Sequence, residues 1–198
     1  MTFQPKELIT LGIFSVIIIA INMVINMLSV FSPLLIPITK SLAGMIAGIP
    51  FMLYLARVKQ QGAICLLALI LAVAMVLTGD HVLTLATALM AGGVAEIICS
   101  AAKKSQRHYL LIPGYGAFSL WSVGGLLPLM FMRQQIEAQV AQQLGQAYAN
   151  RFSALFTDQV MYLTLAGIFI SGLLGAVIGL RVLDQHFARA GFVQKNGW

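Results

Sequence analysis

Five polar residues lie within or directly beside long apolar stretches of the sequence, and these side chains are the ones best suited to bind a ligand: Asn22, Asn26, Lys40, Asp80 and His81. Asn22 and Asn26 are four residues apart, so they share one face if that stretch is a helix. Lys40 must extend to water, pair with an acid such as Asp80, or contact a ligand. Because polar groups are costly in apolar surroundings, these residues predict a substrate-binding pocket. The alternative is that the asparagines join helices and Lys40 extends to a membrane surface.

The sequence contains no pattern typical of an active site, such as a glycine-rich phosphate loop, paired carboxylates or an HExxH zinc motif. We therefore expect neither enzyme activity nor a resident cofactor or metal. Glu96 also stands in an apolar stretch, but no second acid accompanies it for a proton relay. We expect Glu96 to make a structural hydrogen bond or an ion pair with Lys103. Cys65 and Cys99 fit small buried apolar residues better than a disulfide.

The composition indicates whether the protein that carries these residues is surrounded by water or by lipid. Of 198 residues, 60% are hydrophobic and 9% charged, and the mean hydropathy is +0.92. An ordinary soluble domain has about 25% charged residues. These values exclude a soluble globular protein, a disordered chain and a nucleic-acid-binding module. The chain is predicted to be an integral membrane protein.

Six apolar runs are long enough to cross a membrane, which takes about 17 to 25 residues in a helix. Each run should be a helix, because a backbone in lipid must satisfy its own hydrogen bonds. The sequence therefore predicts an all-α protein, with residues 1–198 forming a single domain of six transmembrane helices. The runs span Leu8 to Leu28, Pro33 to Ala56, Gly62 to Thr78, Val82 to Ala102, Tyr109 to Met132, and Gln159 to Leu183.

The basic residues outside the runs predict the orientation of the chain. One set of helix ends carries nine lysines and arginines, and the other set carries only Arg133 and Arg151. Cytoplasmic loops are enriched in Lys and Arg, so both termini should be cytoplasmic in a multi-pass protein of the cell membrane. The nine are Lys6, Arg57, Lys59, Lys103, Lys104, Arg107, Arg181, Arg189 and Lys195.

This orientation separates the three histidines. His81 should lie outside, whereas His108 and His186 should lie inside, so they cannot form one metal site in a monomer. His81 alone has the chemistry to ligate the metal of a substrate such as a tetrapyrrole. Its alternative role is that of a solvated turn residue.

The external connection from Arg133 to Asp158 has its own helical pattern, with apolar residues at spacings of three or four and glutamines between them. This pattern predicts an amphipathic helix between helices five and six, with Ile136, Val140 and Leu144 facing lipid or the bundle. The helix would serve either as an interfacial anchor or as a lid over a binding site. Just before it, Pro128 should break the outer turn of helix five.

Helix six carries small residues at every fourth position, and helix one carries two further small residues. Such a stripe lets another helix approach closely. It would serve either to pack the bundle or to dock a partner protein. The candidate docking residues are Gly12, Ser15, Gly167, Ser171, Gly175 and Gly179.

Three local segments resemble the Trep_Strep family of membrane proteins. The segment from Arg181 to Phe192 is similar to the family's Lys-His-Phe-x-Lys-Ala-Gly tail, although Gln185 and Arg189 stand where the family pattern has lysines. Lys6-Glu7-Leu8-Ile9 resembles its Lys-Asp-Leu-Ile opening. The segment from Tyr54 to Gly62 is similar to its second cytoplasmic turn.

The resemblance implies a function related to the S components of energy-coupling factor (ECF) transporters. Such a protein binds a vitamin or cofactor-like molecule from outside, with haem or another tetrapyrrole among the candidate substrates. It associates with a membrane T component and two cytoplasmic ATPases, which supply the energy. The alternative is a membrane scaffold or assembly subunit that binds no ligand.

Overall fold

The computed structural model describes residues 5–58 and 60–187, and within these ranges the chain is helical with no β-strand. This confirms the all-α class. Short 3-10 segments follow α1 and flank α5, at Met27–Val30, His108–Leu110 and Leu120–Gly125, and a π-helical turn at Leu183–Phe187 follows α9. The α-helices are α1 Pro5–Asn26, α2 Leu35–Arg57, α3 Ala63–Leu77, α4 Leu83–Ser105, α5 Leu111–Ser119, α6 Pro128–Phe131, α7 Arg133–Leu144, α8 Gln146–Leu155 and α9 Asp158–Val182.

Four helical stretches in the described part of the chain are long and apolar enough to cross a membrane: Pro5–Val30, Leu35–Arg57, Leu83–Ser105 and Asp158–Gln185. They correspond to predicted runs one, two, four and six. The third run forms the shorter apolar helix α3, of 15 residues. The chain is therefore a multi-pass membrane protein, and six crossings stay a prediction.

The fifth apolar run is not one continuous helix, and its break begins at Leu120, earlier than the outer turn at Pro128 where the sequence predicted it. It forms α5, the 3-10 segment Leu120–Gly125 and the one-turn helix α6. A Cβ on Gly124 would collide with the backbone of Thr84 at the start of α4, so this close contact requires glycine. Pro128 opens α6, where its missing N–H costs no helical hydrogen bond. We call Leu120–Gly125 the interrupted segment.

Helix α5 is held between α2 and α9 by aromatic and polar contacts. The ring of Phe51 on α2 lies 4.7 Å from that of Tyr115 and 4.4 Å from that of Phe118, measured between centroids. The Tyr115 hydroxyl donates to the Gly44 carbonyl at 2.6 Å. The Ser119 hydroxyl donates to the Ile168 carbonyl on α9 at 3.1 Å. These contacts keep a short, broken helix inside the bundle.

The small-residue stripe of α9 packs against α2 within the chain. A Cβ on Gly175 would lie 2.9 Å from the Cα of Met45, and one on Gly179 would lie 2.6 Å from the Gly48 carbonyl oxygen. Neither position has room for a side chain. Packing within the chain therefore accounts for these two glycines, which bring two helix backbones together, and docking of a partner through the predicted set stays a prediction.

The other members of the predicted docking set have different surroundings. Gly167 and Ser171 continue the stripe, with Gly167 facing the Ser41 hydroxyl and Ser171 near Gly44 on α2. On α1, Ser15 is buried, with no hydrogen-bond partner for its hydroxyl. Gly12 is exposed, and a Cβ placed there would meet nothing within 4 Å.

The predicted amphipathic helix from Arg133 to Asp158 is two helices, α7 and α8, which meet at Gly145. Gly145 has a φ of +86°, which ends α7 and makes a single helix impossible. We call the pair the α7–α8 cap. Its apolar residues pack against the ends of other helices. The cluster contains Leu126, Leu129, Phe152, Phe156 and Met161, with Ile136 and Val140 half-buried beside it.

Two polar contacts also hold the α7–α8 cap. The Arg133 guanidinium donates to the Phe156 carbonyl, which closes the cap on itself. The Tyr148 hydroxyl donates to the Ser29 carbonyl at 2.7 Å, which ties α8 to the connection between α1 and α2. Leu144 is exposed near the junction of the two helices. The cap therefore rests on one end of the bundle.

Candidate functional site

Lys40 donates from its ammonium to the backbone carbonyl of Ser122 at 3.3 Å. Ser122 belongs to the interrupted segment, so the lysine of α2 partly replaces the hydrogen bonds that a regular helix would have made. The sequence predicted Asp80 as the partner of Lys40, and the described contact is the Ser122 carbonyl instead. A backbone carbonyl is a neutral acceptor, so the charge of Lys40 is not neutralised by this contact.

Thr87 of α4 holds the interrupted segment from a second direction. Its hydroxyl donates to the Trp121 carbonyl at 3.0 Å. Thr84, one turn earlier, is fully buried, and its hydroxyl has no hydrogen-bond partner. Sequence reasoning missed both threonines, because threonine is a common residue in membrane helices and no local signal distinguishes these two.

Asp80 and His81 organise the start of α4. One carboxylate oxygen of Asp80 accepts from the His81 backbone N–H at 3.2 Å, and the His81 Nδ1 accepts from the Leu83 N–H at 3.2 Å. These acceptors satisfy N–H groups near a helix start, which have no partner inside the helix. The Asp80 carboxylate also lies directly against Gly125, at the end of the interrupted segment.

The two asparagines make local hydrogen bonds. Asn22 is buried on α1, and its side-chain amide donates to the Ile18 carbonyl at 2.9 Å. The backbone carbonyl of Asn26 accepts from the Ser29 hydroxyl at 2.5 Å. Of the five predicted residues, the structure thus brings Lys40 and Asp80 to the interrupted segment. Binding of a ligand by any of the five stays a prediction.

A cavity of about 330 Å³ lies beside the interrupted segment, between α4, α5 and α9. Its wall is apolar except for Thr87, and Met90 at its edge is largely exposed. Such a wall suits the hydrocarbon part of a ligand and offers few polar contacts. The lining residues are Thr87, Met90, Ala91, Val94, Ala117, Leu120, Val123, Leu127 and Leu165.

Glu96 has the structural role that its sequence context predicted. Its Oε2 accepts from the Ile64 backbone N–H at 2.9 Å, in the first turn of α3, and Oε1 accepts from the Ser100 hydroxyl at 3.5 Å. Residues 5–58 and 60–187 contain no group of three His, Cys, Asp or Glu side chains that could hold a metal ion. The side chain of His186 lies outside the described part of the chain.

A family model described as a hypothetical bacterial integral membrane protein (Trep_Strep) matches residues 5–189. The chain belongs to this Trep_Strep family. No curated protein and no solved structure matches it. Two of the segments that carry the resemblance lie at one end of the bundle, one at the start of α1 and the other at the end of α2 and in the connection that follows it. The tail from Arg181 to Phe192 continues beyond residue 187, the last residue that the structure describes.

Proposed function

We propose that this Trep_Strep protein is the substrate-binding S component of an ECF-type importer, which takes up a vitamin or cofactor-like molecule from outside the cell membrane. The observation that carries the proposal is the interrupted segment Leu120–Gly125, held by Lys40 and Thr87 next to the α7–α8 cap. Transporters often form their substrate sites from discontinuous helices, because unwound backbone at membrane depth is tolerated where it is buried or lines a cavity.

The proposed topology has six crossings and both termini in the cytoplasm. In it, α3 is the third crossing, and α5, the interrupted segment and α6 together form the fifth. The distribution of Lys and Arg supports this orientation, because the end that carries the α7–α8 cap has only Arg133 and Arg151 in its loops. The cap would then lie outside and act as a lid that also anchors in the membrane surface.

The proposed substrate has an apolar body and an anionic group. Lys40 supplies a positive charge at the interrupted segment, and the Ser122 carbonyl that it now contacts is a weaker partner than a carboxylate. The cavity beside Thr87 would take the apolar body. A tetrapyrrole such as haem meets this description, and so do other cofactor-like molecules. Asp80, which lies against Gly125, and His81 beside it would add to the polar part of the site, and Asn22 and Asn26 are proposed as further binding residues from their positions in the sequence.

A partner must supply the energy for uptake in this proposal, because the sequence has no nucleotide-binding loop. The proposed partners are a membrane T component and two cytoplasmic ATPases. Gly175 and Gly179 of the α9 stripe contact α2 within the chain, so we propose that the docking face lies elsewhere. Of the four glycines first considered for docking, Gly12 on α1 is the one with open space around it.

The experiment that tests the proposal is mass spectrometry of small molecules released from the purified full-length protein. We expect one compound to be released in near-stoichiometric amount from the wild type, and at least about tenfold less from Lys40→Met. Lys6→Met is the matched control, since Lys6 is exposed in the first turn of α1. Folded protein that releases no compound after growth in rich medium would favour the scaffold alternative.

A further inference from the structure

A second cleft lies at the opposite end of the bundle from the α7–α8 cap, between the α2–α3 connection and the last turns of α4. Its volume is about 480 Å³, and six of its seven lining residues are polar or charged, in contrast to the cavity beside Thr87. The proposed uptake function uses none of its side chains. The lining residues are Gln60, Gln61, Glu96, Ser100, Ala101, Lys103 and Lys104.

The charges of this cleft are arranged with the acid inside and the bases at the rim. Glu96 lies about two turns before the lysines on α4, and its carboxylate already accepts from the Ile64 N–H and the Ser100 hydroxyl. The Lys103 ammonium donates to the Val58 carbonyl at 3.1 Å, which fixes that side chain at the cleft. Lys104 is exposed beside it. The rim is therefore positively charged, and the inner acid is engaged by the protein itself.

The cleft opens where the surface of α4 changes from apolar to charged. Val94 and Ile97 are 48% and 72% exposed, as expected for side chains that face lipid tails. Lys103 and Lys104 follow in the last turn of the same helix. In a membrane protein this boundary marks the level of the lipid headgroups. The phosphate of a lipid at that level would contact the lysines, while the acyl chains of the same lipid would run along the exposed face of α4.

We propose that this cleft binds the phosphate group of an anionic phospholipid such as phosphatidylglycerol. Lys103 and Lys104 bind the phosphate as cations, and the amides of Gln60 and Gln61 donate hydrogen bonds to the headgroup. Basic pockets between helices at the membrane surface suit such headgroups, and each lysine there contributes measurably to affinity. The charge of the rim and the adjoining apolar face together specify an amphipathic anion. This site is independent of the proposed uptake function.

The test is native mass spectrometry of the full-length protein in a neutral detergent, titrated separately with phosphatidylglycerol, phosphatidylcholine and inorganic phosphate. We expect phosphatidylglycerol to bind in preference to phosphatidylcholine, and Lys104→Gln to weaken that binding about fivefold. Arg151→Gln is the matched control, because Arg151 is an exposed cation at the other end of the bundle. It should leave the affinity unchanged.

Two results would overturn the proposal. An equal loss of affinity in Arg151→Gln would mean that lipids respond only to the overall charge of the protein. Binding of inorganic phosphate that is as tight as that of the lipid, and equally sensitive to Lys104→Gln, would mean a site for a soluble anion. Lys104→Gln is the decisive variant, because Lys103 also holds the Val58 carbonyl and its loss could disturb the fold.

Discussion

Glycine serves two different purposes in the α2–α9 interface and in the interrupted segment. In the interface, Gly44 and Gly48 of α2 and Gly175 and Gly179 of α9 are spaced by four residues, and both helices stay regular. In the interrupted segment, Gly124 and Gly125 are adjacent, the helix is broken, and the turn between α3 and α4 packs against the break.

The difference shows how spacing decides the effect of a small residue in a membrane. Glycines four apart make a smooth groove on one helix face, and the backbone hydrogen bonds remain inside the helix. An adjacent pair followed by Pro128 frees carbonyls, which then need donors from other helices. Lys40 and Thr87 supply those donors. The first region is suited to rigid packing, and the second to a site that includes polar side chains.

We expect the largest loss of stability from a substitution that fills the α2–α9 interface. Gly175→Leu places a side chain against the backbone of Met45, which has no flexible group that could move aside. We expect a loss of more than about 3 kcal/mol of stability, seen as little folded protein in size-exclusion chromatography. Gly12→Leu is the control, and its change should be under about 0.5 kcal/mol because its surroundings are open. Normal folding of Gly175→Leu would contradict the packing role of the stripe.

The second prediction compares the two glycines of the interrupted segment. A Cβ on Gly124 meets the backbone of Thr84, whereas one on Gly125 meets the carboxylate of Asp80, which can rotate away. We expect Gly124→Ala to destabilise the protein by about 2 kcal/mol and Gly125→Ala by clearly less. Thermal unfolding in detergent measures both. Equal effects would mean that the α3–α4 turn moves as freely as the Asp80 side chain.

Sequence reasoning found the helices that depend on apolar length, but it did not locate the helix breaks that depend on tertiary contacts. Helices α1, α2, α4 and α9 match predicted runs within a few residues. The end of α5 at Ser119 depends on partners on α4 and α9, which no local pattern encodes. The sequence pattern did not indicate the break at Gly145, because apolar residues continue at helical spacing across it, from Ile136 to Phe152.

The candidate site was predicted less well than the fold. Lys40 was identified because it is a polar residue in an apolar run. Its contact is a backbone carbonyl of the interrupted segment, and a sequence does not reveal which carbonyls lose their helical partners where a helix is interrupted. Asp80 was expected to pair with Lys40 and instead accepts from the His81 N–H. The spacing of the α9 glycines predicted a close helix neighbour but could not say whether that neighbour belonged to this chain.

The third prediction tests whether side chains from α4 are needed to satisfy the interrupted segment. Thr87→Val removes the donor to the Trp121 carbonyl, and we expect a loss of about 1 kcal/mol. Thr84→Val is the matched change, because its buried hydroxyl has no partner and its removal should cost nothing or stabilise the protein. Chemical unfolding of the two variants in parallel measures the difference. A larger loss in Thr84→Val would show that this hydroxyl has a partner in the membrane.

The smallest effect concerns the α7–α8 cap, which is joined to the α1–α2 connection through Tyr148 and Ser29. Tyr148→Phe removes that hydrogen bond and keeps the ring, so we expect a loss of about 0.5 to 1 kcal/mol of stability and faster proteolysis near Gly145.

Burial raises the pKa of the Tyr148 phenol above its ordinary value of about 10. The neutral donor is thus favoured in the folded protein, and the contribution of the bond is fully present below pH about 10. It is lost as the pH rises through the raised pKa, where wild type and Tyr148→Phe should converge. Stability curves of the two proteins from neutral to alkaline pH test this, and a constant difference would mean that the ring contacts, not the hydroxyl, hold the cap.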